Sequence, residues 1–195
     1  MEIKKTNIFL ATVPVPTAAQ KMHMILEQCQ EKLSSRYKIK WTHPSDLHIT
    51  IGYIRNILVS DIKRVVDMMS IATLHQSFSV TLGDLSLYGN ALAFKIAPIE
   101  PLRDIHVRLN AQLEHLTQNR YHFDHKGRFE PHLTIARLQN NRPLPPPAKH
   151  VLFSLVKTPF HRFEFLINQV AVMQSNPQEN GARYSILRRY PFSHG

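Results

Sequence analysis

Three histidines stand two residues before a threonine: His48-Ile49-Thr50, His115-Leu116-Thr117 and His132-Leu133-Thr134. With twelve histidines and ten threonines in 195 residues, composition alone gives this spacing about 0.6 times. Context separates the three. Residues i and i+2 share a face in a strand but diverge by about 200° in a helix. His48 and Thr50 sit in Leu47-His48-Ile49-Thr50-Ile51, and His132 and Thr134 in Pro131-His132-Leu133-Thr134-Ile135. Apolar residues take the alternate positions in both, so each imidazole and its hydroxyl project from one face of a strand. His115 and Thr117 fall near a helix end and diverge, which reads as a surface role. An imidazole with a pKa near 6.5 can accept or donate a proton at neutrality. Phosphodiester hydrolysis needs both actions, a base for water and an acid for the leaving oxygen. Each threonine hydroxyl can donate to a non-bridging phosphate oxygen. Four such groups would surround a phosphate without a metal. For either histidine the plainer alternative is a satisfied core residue.

The elements that must hold these residues alternate short strands with amphipathic helices. Strands are expected over 7–13, 37–41, 47–54, 78–82, 91–96, 131–137, 160–166, 169–175 and 182–189. Helices are expected from Thr17 as N-cap to Ser34, from a Ser60-Asp61 cap to about Leu74, and from Pro101 through Leu116. Gly83 and Tyr88-Gly89-Asn90 read as breaks between strands, and Pro143 to Pro147 as a stiff connector. Hairpin-distance strands mixed with helical crossovers give an α+β class.

Hydrophobic residues are 43% and charged residues 19%, a globular balance. The net charge of +10 raises the local concentration of polyanions, nucleic acid above all; solubility is the bland alternative. The positives are dispersed, which favours a folded cleft over a basic tail. A single cysteine, Cys29, excludes an intrachain disulfide and a thiolate-built zinc site. The apolar run Ile8 to Val13 is too short for a signal segment, and no stretch approaches the roughly 20 apolar residues of a membrane helix. A reducing cytoplasm is the expected location. Neither G-x-x-x-x-G-K-[ST] nor G-x-G-x-x-G occurs, so ATP- or NAD-driven chemistry is not expected.

The residues around the two pairs resemble the 2H phosphoesterases, and within them the bacterial and archaeal RNA 2′,3′-cyclic phosphodiesterases, also called 2′-5′ RNA ligases. Trp41-x-x-Pro44-x-x-Leu47-His48-Ile49-Thr50-Ile51 is similar to the family's run into its first motif. Arg128-Phe129-x-Pro131-His132-Leu133-Thr134-Ile135-Ala136-Arg137 is close to its second. Phe9-Leu10-Ala11 resembles its opening strand and Gly181 to Leu187 its closing one. The likeness runs in order from about residue 7 to 192. One departure is Arg55, where the family has glycine after an apolar pair.

The resemblance implies a single domain over 1–195 of two intertwined lobes, one with the His48 motif and one with the His132 motif. It implies two antiparallel sheets with outer helices, related by a pseudo-two-fold around a cleft. It also implies opening of RNA 2′,3′-cyclic phosphate ends to 2′-phosphates, with no cofactor and no metal, and 2′-5′ ligation as the reverse reaction. His132 is expected as base toward water and His48 as acid toward O3′, the reverse order staying open. Arg137 is marked by the resemblance as adjacent to the phosphate or substrate, although it needs a bulge to share a face with Thr134. A surface ion pair is its alternative. Tyr184 and Phe9 offer base-stacking faces, with plain core the alternative for Phe9. Tyr53, at an odd offset from Thr50, is expected in the core.

Arg36, Lys38 and Lys40 could line a phosphate track or protect an edge strand. His122, Asp124 and His125 resemble a metal cluster only in one dimension. Either His43 or Asp46 could orient His48. Competing readings are a cyclic phosphodiesterase acting on a small nucleotide or 2′-5′ oligonucleotide, a non-catalytic RNA-binding module, and a metallohydrolase. The last is disfavoured because no carboxylates flank the two histidines. No heptad or exposed stripe asks for a partner, so a monomer is expected.

Overall fold

The computed structural model describes residues 4–33, 38–124, 129–138, 146–157, 160, 163–175 and 184–193. Nine strands among them form one antiparallel sheet in the order β7-β4-β5-β6-β3-β1-β8-β9, with β2 on the edge of β6. The strands are β1 (Lys5–Thr12), β2 (Ile39–Trp41), β3 (Ile49–Leu58), β4 (Phe78–Tyr88), β5 (Ala91–Ala97), β6 (His132–Leu138), β7 (Glu164–Ile167), β8 (Gln169–Ser175) and β9 (Tyr184–Pro191). Two halves of four strands each, β3-β1-β8-β9 and β6-β5-β4-β7, run outward from a shared centre. The two expected antiparallel sheets are thus halves of one continuous sheet, hydrogen-bonded at Ile49↔Leu133. The class is α+β, as the alternation of elements implies.

Both faces of the interior strand β1 are buried, and its alternation explains how. Ile8 and Leu10 enter the main core with Met22, Leu26 and Cys29 of α1 (Pro16–Leu33) and Leu102, Ile105, Leu109 and Leu113 of α3 (Glu100–Thr117). Phe9 and Ala11 point the other way, into a small second cluster with Ala171, Met173, Tyr53 and Tyr184. That second cluster floors the cleft. Val65 and Val66 of α2 (Val59–Met68) and Leu152 and Val156 of α4 (Pro146–Lys157) complete the main core. Among the described residues no helix is long and apolar enough to cross a membrane.

Several local expectations are corrected. Helix α1 begins at Pro16, a residue preset for the first helical position, so Thr17 is inside the helix and not its cap. Helix α2 begins at Val59 without a side-chain cap, ends at Met68, and continues as a 3₁₀ turn over Met69–Leu74. Asp61 instead accepts from the Tyr121 hydroxyl at 2.7 Å. Gly83 does not break a strand: β4 passes through it with a shift of register between Leu82 and Leu85. The break comes at Gly89, whose φ of 62° allows the two-residue turn into β5. Helix α4 was not expected, because the proline run hides its start; proline is tolerated in a first turn. Pro143 to Pro145 lie outside the described residues. Strand β7 starts at Glu164, later than expected, and pairs with β4 at the sheet edge, while Phe160 is a core anchor packed on Phe94 at 5.0 Å.

Candidate active site

The two His-x-Thr motifs meet at their middle residues. Ile49 and Leu133, both fully buried, are register partners of antiparallel β3 and β6. Carrying that register one residue to either side sets His48 against Thr134 and Thr50 against His132. All four side chains then emerge from the face opposite the main core. Secondary structure starts at Ile49, so His48 precedes its strand rather than lying inside it.

A bulge follows each motif, and the two are matched. On β3, Leu10↔Gly52 is followed by Ala11↔Thr50, so Ile51 is the extra residue. On β6, Leu92↔Ala136 is followed by Ala93↔Thr134, so Ile135 is extra. Each bulge lets two successive apolar residues, Ile51-Gly52 or Ile135-Ala136, face the core and reverses the alternation beyond them. The residue three after each threonine therefore returns to the cleft. This is Tyr53 in one strand and Arg137 in the other. The bulge that Arg137 required is present, and the expectation that Tyr53 lies in the core is corrected by the same device.

Both imidazoles are clamped from behind. His48 Nδ1 donates to the Asp46 carbonyl at 2.5 Å, and His132 Nδ1 to the Glu130 carbonyl at 2.9 Å. A carbonyl only accepts, so Nδ1 carries the proton in both rings and Nε2 is left for the cleft. Asp46 is thus the orienting residue, through its backbone; His43 bonds Ser45 Oγ at 2.7 Å instead. Burial pushes the His48 pKa below its ordinary value of 6.5. The Asp46 carbonyl and carboxylate oppose that shift, while His132 and Arg137 add to it. Rings fix both histidines further. Phe9 lies 5.1 Å from His48 and Tyr184 meets it edge-on at 5.1 Å. Tyr88 stacks on His132 at 4.4 Å, a partner that sequence reading missed because it comes from the β4–β5 hairpin end.

A cavity of about 620 Å³ opens over this centre. It brings together every residue singled out for the site: His48, Thr50, His132, Thr134, Arg137, Tyr184 and Phe9. Phe9 lines the cavity but is buried, as its core alternative anticipated. Tyr53 stacks on Phe9 at 6.1 Å. Lys40 lines the cavity as Arg137's register partner. Lys38 is exposed, and Arg36 lies outside the described residues. As expected, the third motif is structural: His115 is exposed, and Thr117 Oγ1 donates to the Leu113 carbonyl at 2.7 Å at the end of α3. Asp124 forms an ion pair with Arg55, and His125 lies outside the described residues.

His106 is a second residue that sequence reading missed. It is buried on α3 behind β3, and its Nδ1 donates to the Ile51 carbonyl at 2.7 Å. That carbonyl belongs to the bulged residue. The His106 ring also stacks on Phe129, just ahead of the second motif, at 4.5 Å.

The 2′-5′ RNA ligase superfamily model matches residues 58–179, and the LigT-like phosphoesterase model matches residues 17–95. Between them they take in both motifs. No curated protein matches the sequence. Among solved structures, E. coli LigT complexed with 3′-AMP superposes with a TM-score of 0.68 at 16% identity, covering 97% of this chain and 99% of that one. The NADP+ complex of the same protein gives 0.70 at 14%, with the same coverage. TT0787 of Thermus thermophilus gives 0.69 at 18%, covering 95% and 97%. These similarities confirm the fold, and the first family match spans more than half of the sequence. The chain belongs to the 2′-5′ RNA ligase superfamily, whose chemistry is that of phosphate esters.

Proposed function

We infer that this cleft opens 2′,3′-cyclic phosphate ends of RNA to 2′-phosphates, with no metal and no nucleotide cofactor. The observation that carries the reading is the Ile49↔Leu133 register, which faces the two imidazoles and two hydroxyls toward one space. Water attacks phosphorus in line with the departing O3′, so base and acid belong on opposite sides of the phosphate. The two Nε2 atoms supply those roles, and Thr50 and Thr134 donate to the non-bridging oxygens as charge builds on them. Arg137 adds a positive charge at the rim.

Burial favours neutral His48, which is the proton-accepting form. The order expected from sequence, with His132 as base, therefore requires the substrate's negative charge to restore a proton to His48. Tyr53 and Tyr184 offer stacking faces to a base. LigT has been crystallised with 3′-AMP, NADP+ and ATP, which agrees with a cleft that accepts nucleotides. Joining a cyclic end to a 5′-hydroxyl is the same displacement with that hydroxyl in place of water: its oxygen bonds to phosphorus, O3′ departs and takes up a proton, and a 2′-5′ diester results. The two halves of the sheet form one domain, and the protein acts as a monomer in the cytoplasm, where its lone Cys29 is buried and reduced.

A cavity of about 620 Å³ also accommodates a single nucleotide, which favours a small cyclic nucleotide as second reading. The test is turnover of a short RNA ending in a 2′,3′-cyclic phosphate, with EDTA present. Wild type should release a 2′-phosphate, and His48→Ala and His132→Ala should each lose about 10²-fold or more. Binding without turnover would replace this reading with an RNA-binding module. Turnover abolished by EDTA would replace it with a metal-dependent reaction.

A further inference from the structure

The cavity is chemically uneven. Phe9, Tyr53 and Tyr184 line it from β1, β3 and β9, while Lys40 and Arg137, with Trp41 beside Lys40, line it from β2 and β6. As direct antiparallel partners, the two cations have Cβ atoms about 5 Å apart. Arg137 Nη1 donates to Asn90 Oδ1 at 3.4 Å, which ties it to the β4–β5 turn. Lys40 is half-buried, and among the described residues no carboxylate lies within ion-pair distance of it. Two carboxylates line the cavity. Asp46 is buried behind His48, and Glu27 stands on α1 with His23 at 3.3 Å, outside ion-pair distance of Lys40. The Lys40 end is therefore left cationic.

Its position matters as much as its charge. Arg137 is three residues along β6 from Thr134, up to about 10 Å of strand. An anion between the two cations stands beyond a phosphate held by the threonines, at a distance one nucleotide can span. Building on the cyclic-phosphate reading of the centre, we propose that Lys40 and Arg137 form a second anion subsite. It takes the 5′-phosphate of the nucleotide whose 2′,3′-cyclic phosphate lies between the imidazoles. That group is a phosphate ester in either source: a monoester on a free nucleotide, or the backbone diester that continues an RNA. The Lys40 ammonium supplies a charge-assisted hydrogen bond to it.

The experiment compares kcat/KM for three substrates: cytidine 2′,3′-cyclic phosphate, the same compound with a 5′-phosphate, and the dinucleotide ending in a cyclic phosphate. Wild type should prefer the phosphorylated compounds by about tenfold or more, the scale of one charged hydrogen bond. Lys40→Gln should bring the three within about twofold of one another, and Lys40→Arg should retain the preference. A preference that includes the dinucleotide assigns the subsite to an RNA backbone; one confined to the 5′-monoester assigns it to free nucleotides. The subsite is overturned if wild type shows no preference, or if the preference survives in Lys40→Gln. Should wild type turn over none of the three, the cyclic-phosphodiesterase reading fails. Calorimetry with cytidine 3′-monophosphate and cytidine 3′,5′-bisphosphate then makes the same comparison. Tighter binding of the bisphosphate that is lost in Lys40→Gln supports the subsite, and equal binding overturns it.

Discussion

At the scale of single residues, two imidazoles with the same backbone clamp differ in surroundings. His48 is packed between Phe9 and Tyr184, and burial lowers its pKa. If one neutral and one charged imidazole are both needed, kcat/KM is bell-shaped in pH. Its acid limb reports the loss of neutral imidazole as pH falls. A depressed value moves that loss downward, so the limb should lie below about 6.5. A pH series on a cyclic-phosphate substrate checks this, and a monotonic rise to alkaline pH would remove the two-histidine scheme. The His-x-Thr spacing and the alternation around it were readable in the sequence. Asp46's part was not, because it acts through its carbonyl, and any residue type offers one.

At the scale of elements, the site is built by two bulges. Ile51-Gly52 and Ile135-Ala136 each place two apolar neighbours toward the core, and so return Tyr53 and Arg137 to the cleft. The first bulge has visible support. A Cβ added at Gly52 would lie 2.3 Å from the Phe123 ring, so the ring occupies the space a side chain would need. His106 satisfies the Ile51 carbonyl that the bulge removes from the ladder. Replacing it by His106→Leu should destabilise the fold by about 1–3 kcal/mol, the usual cost of a buried unpaired acceptor. His106→Asn, which keeps a donor, should recover part of that loss. Urea unfolding measures the cost. A KM raised more than kcat is lowered would show that the bulge aims Tyr53 at substrate. The sequence does carry a trace of the bulges, an apolar doublet at the same offset after each threonine. It is legible only once the register is known.

At the scale of the whole molecule, the two halves are joined where the chemistry is proposed to occur. Ile49 and Leu133 are register partners, fully buried, at the midpoint of an eight-strand path. Ile49→Ala and Leu133→Ala should each cost about 2–5 kcal/mol. Because they are in contact across one junction, the double variant should depart from additivity by about 0.5 kcal/mol or more. Chemical denaturation of the four proteins checks this, and strict additivity would show that the halves are not coupled there. The net charge of +10 also acts at this scale. With a single-stranded RNA substrate, log kcat/KM should fall against log salt with a slope of about −0.7 for each phosphate contacted. A flat salt response would favour the small-nucleotide reading.

The sequence by itself determined which residues could do the chemistry and the class of elements that carry them. Residue type and a two-residue strand period are local properties, and His48, Thr50, His132 and Thr134 display them without knowledge of the fold. The α+β class follows from the same periodicities summed along the chain. Tertiary structure alone decided that the two pairs, 84 positions apart, meet at Ile49 and Leu133. It also decided that Tyr53 and Lys40 share their cavity, and that Tyr88 and His106 stand behind them. Strand pairing and bulges depend on which distant segments supply hydrogen-bond partners, and a period of two read along one strand carries no information about its neighbour.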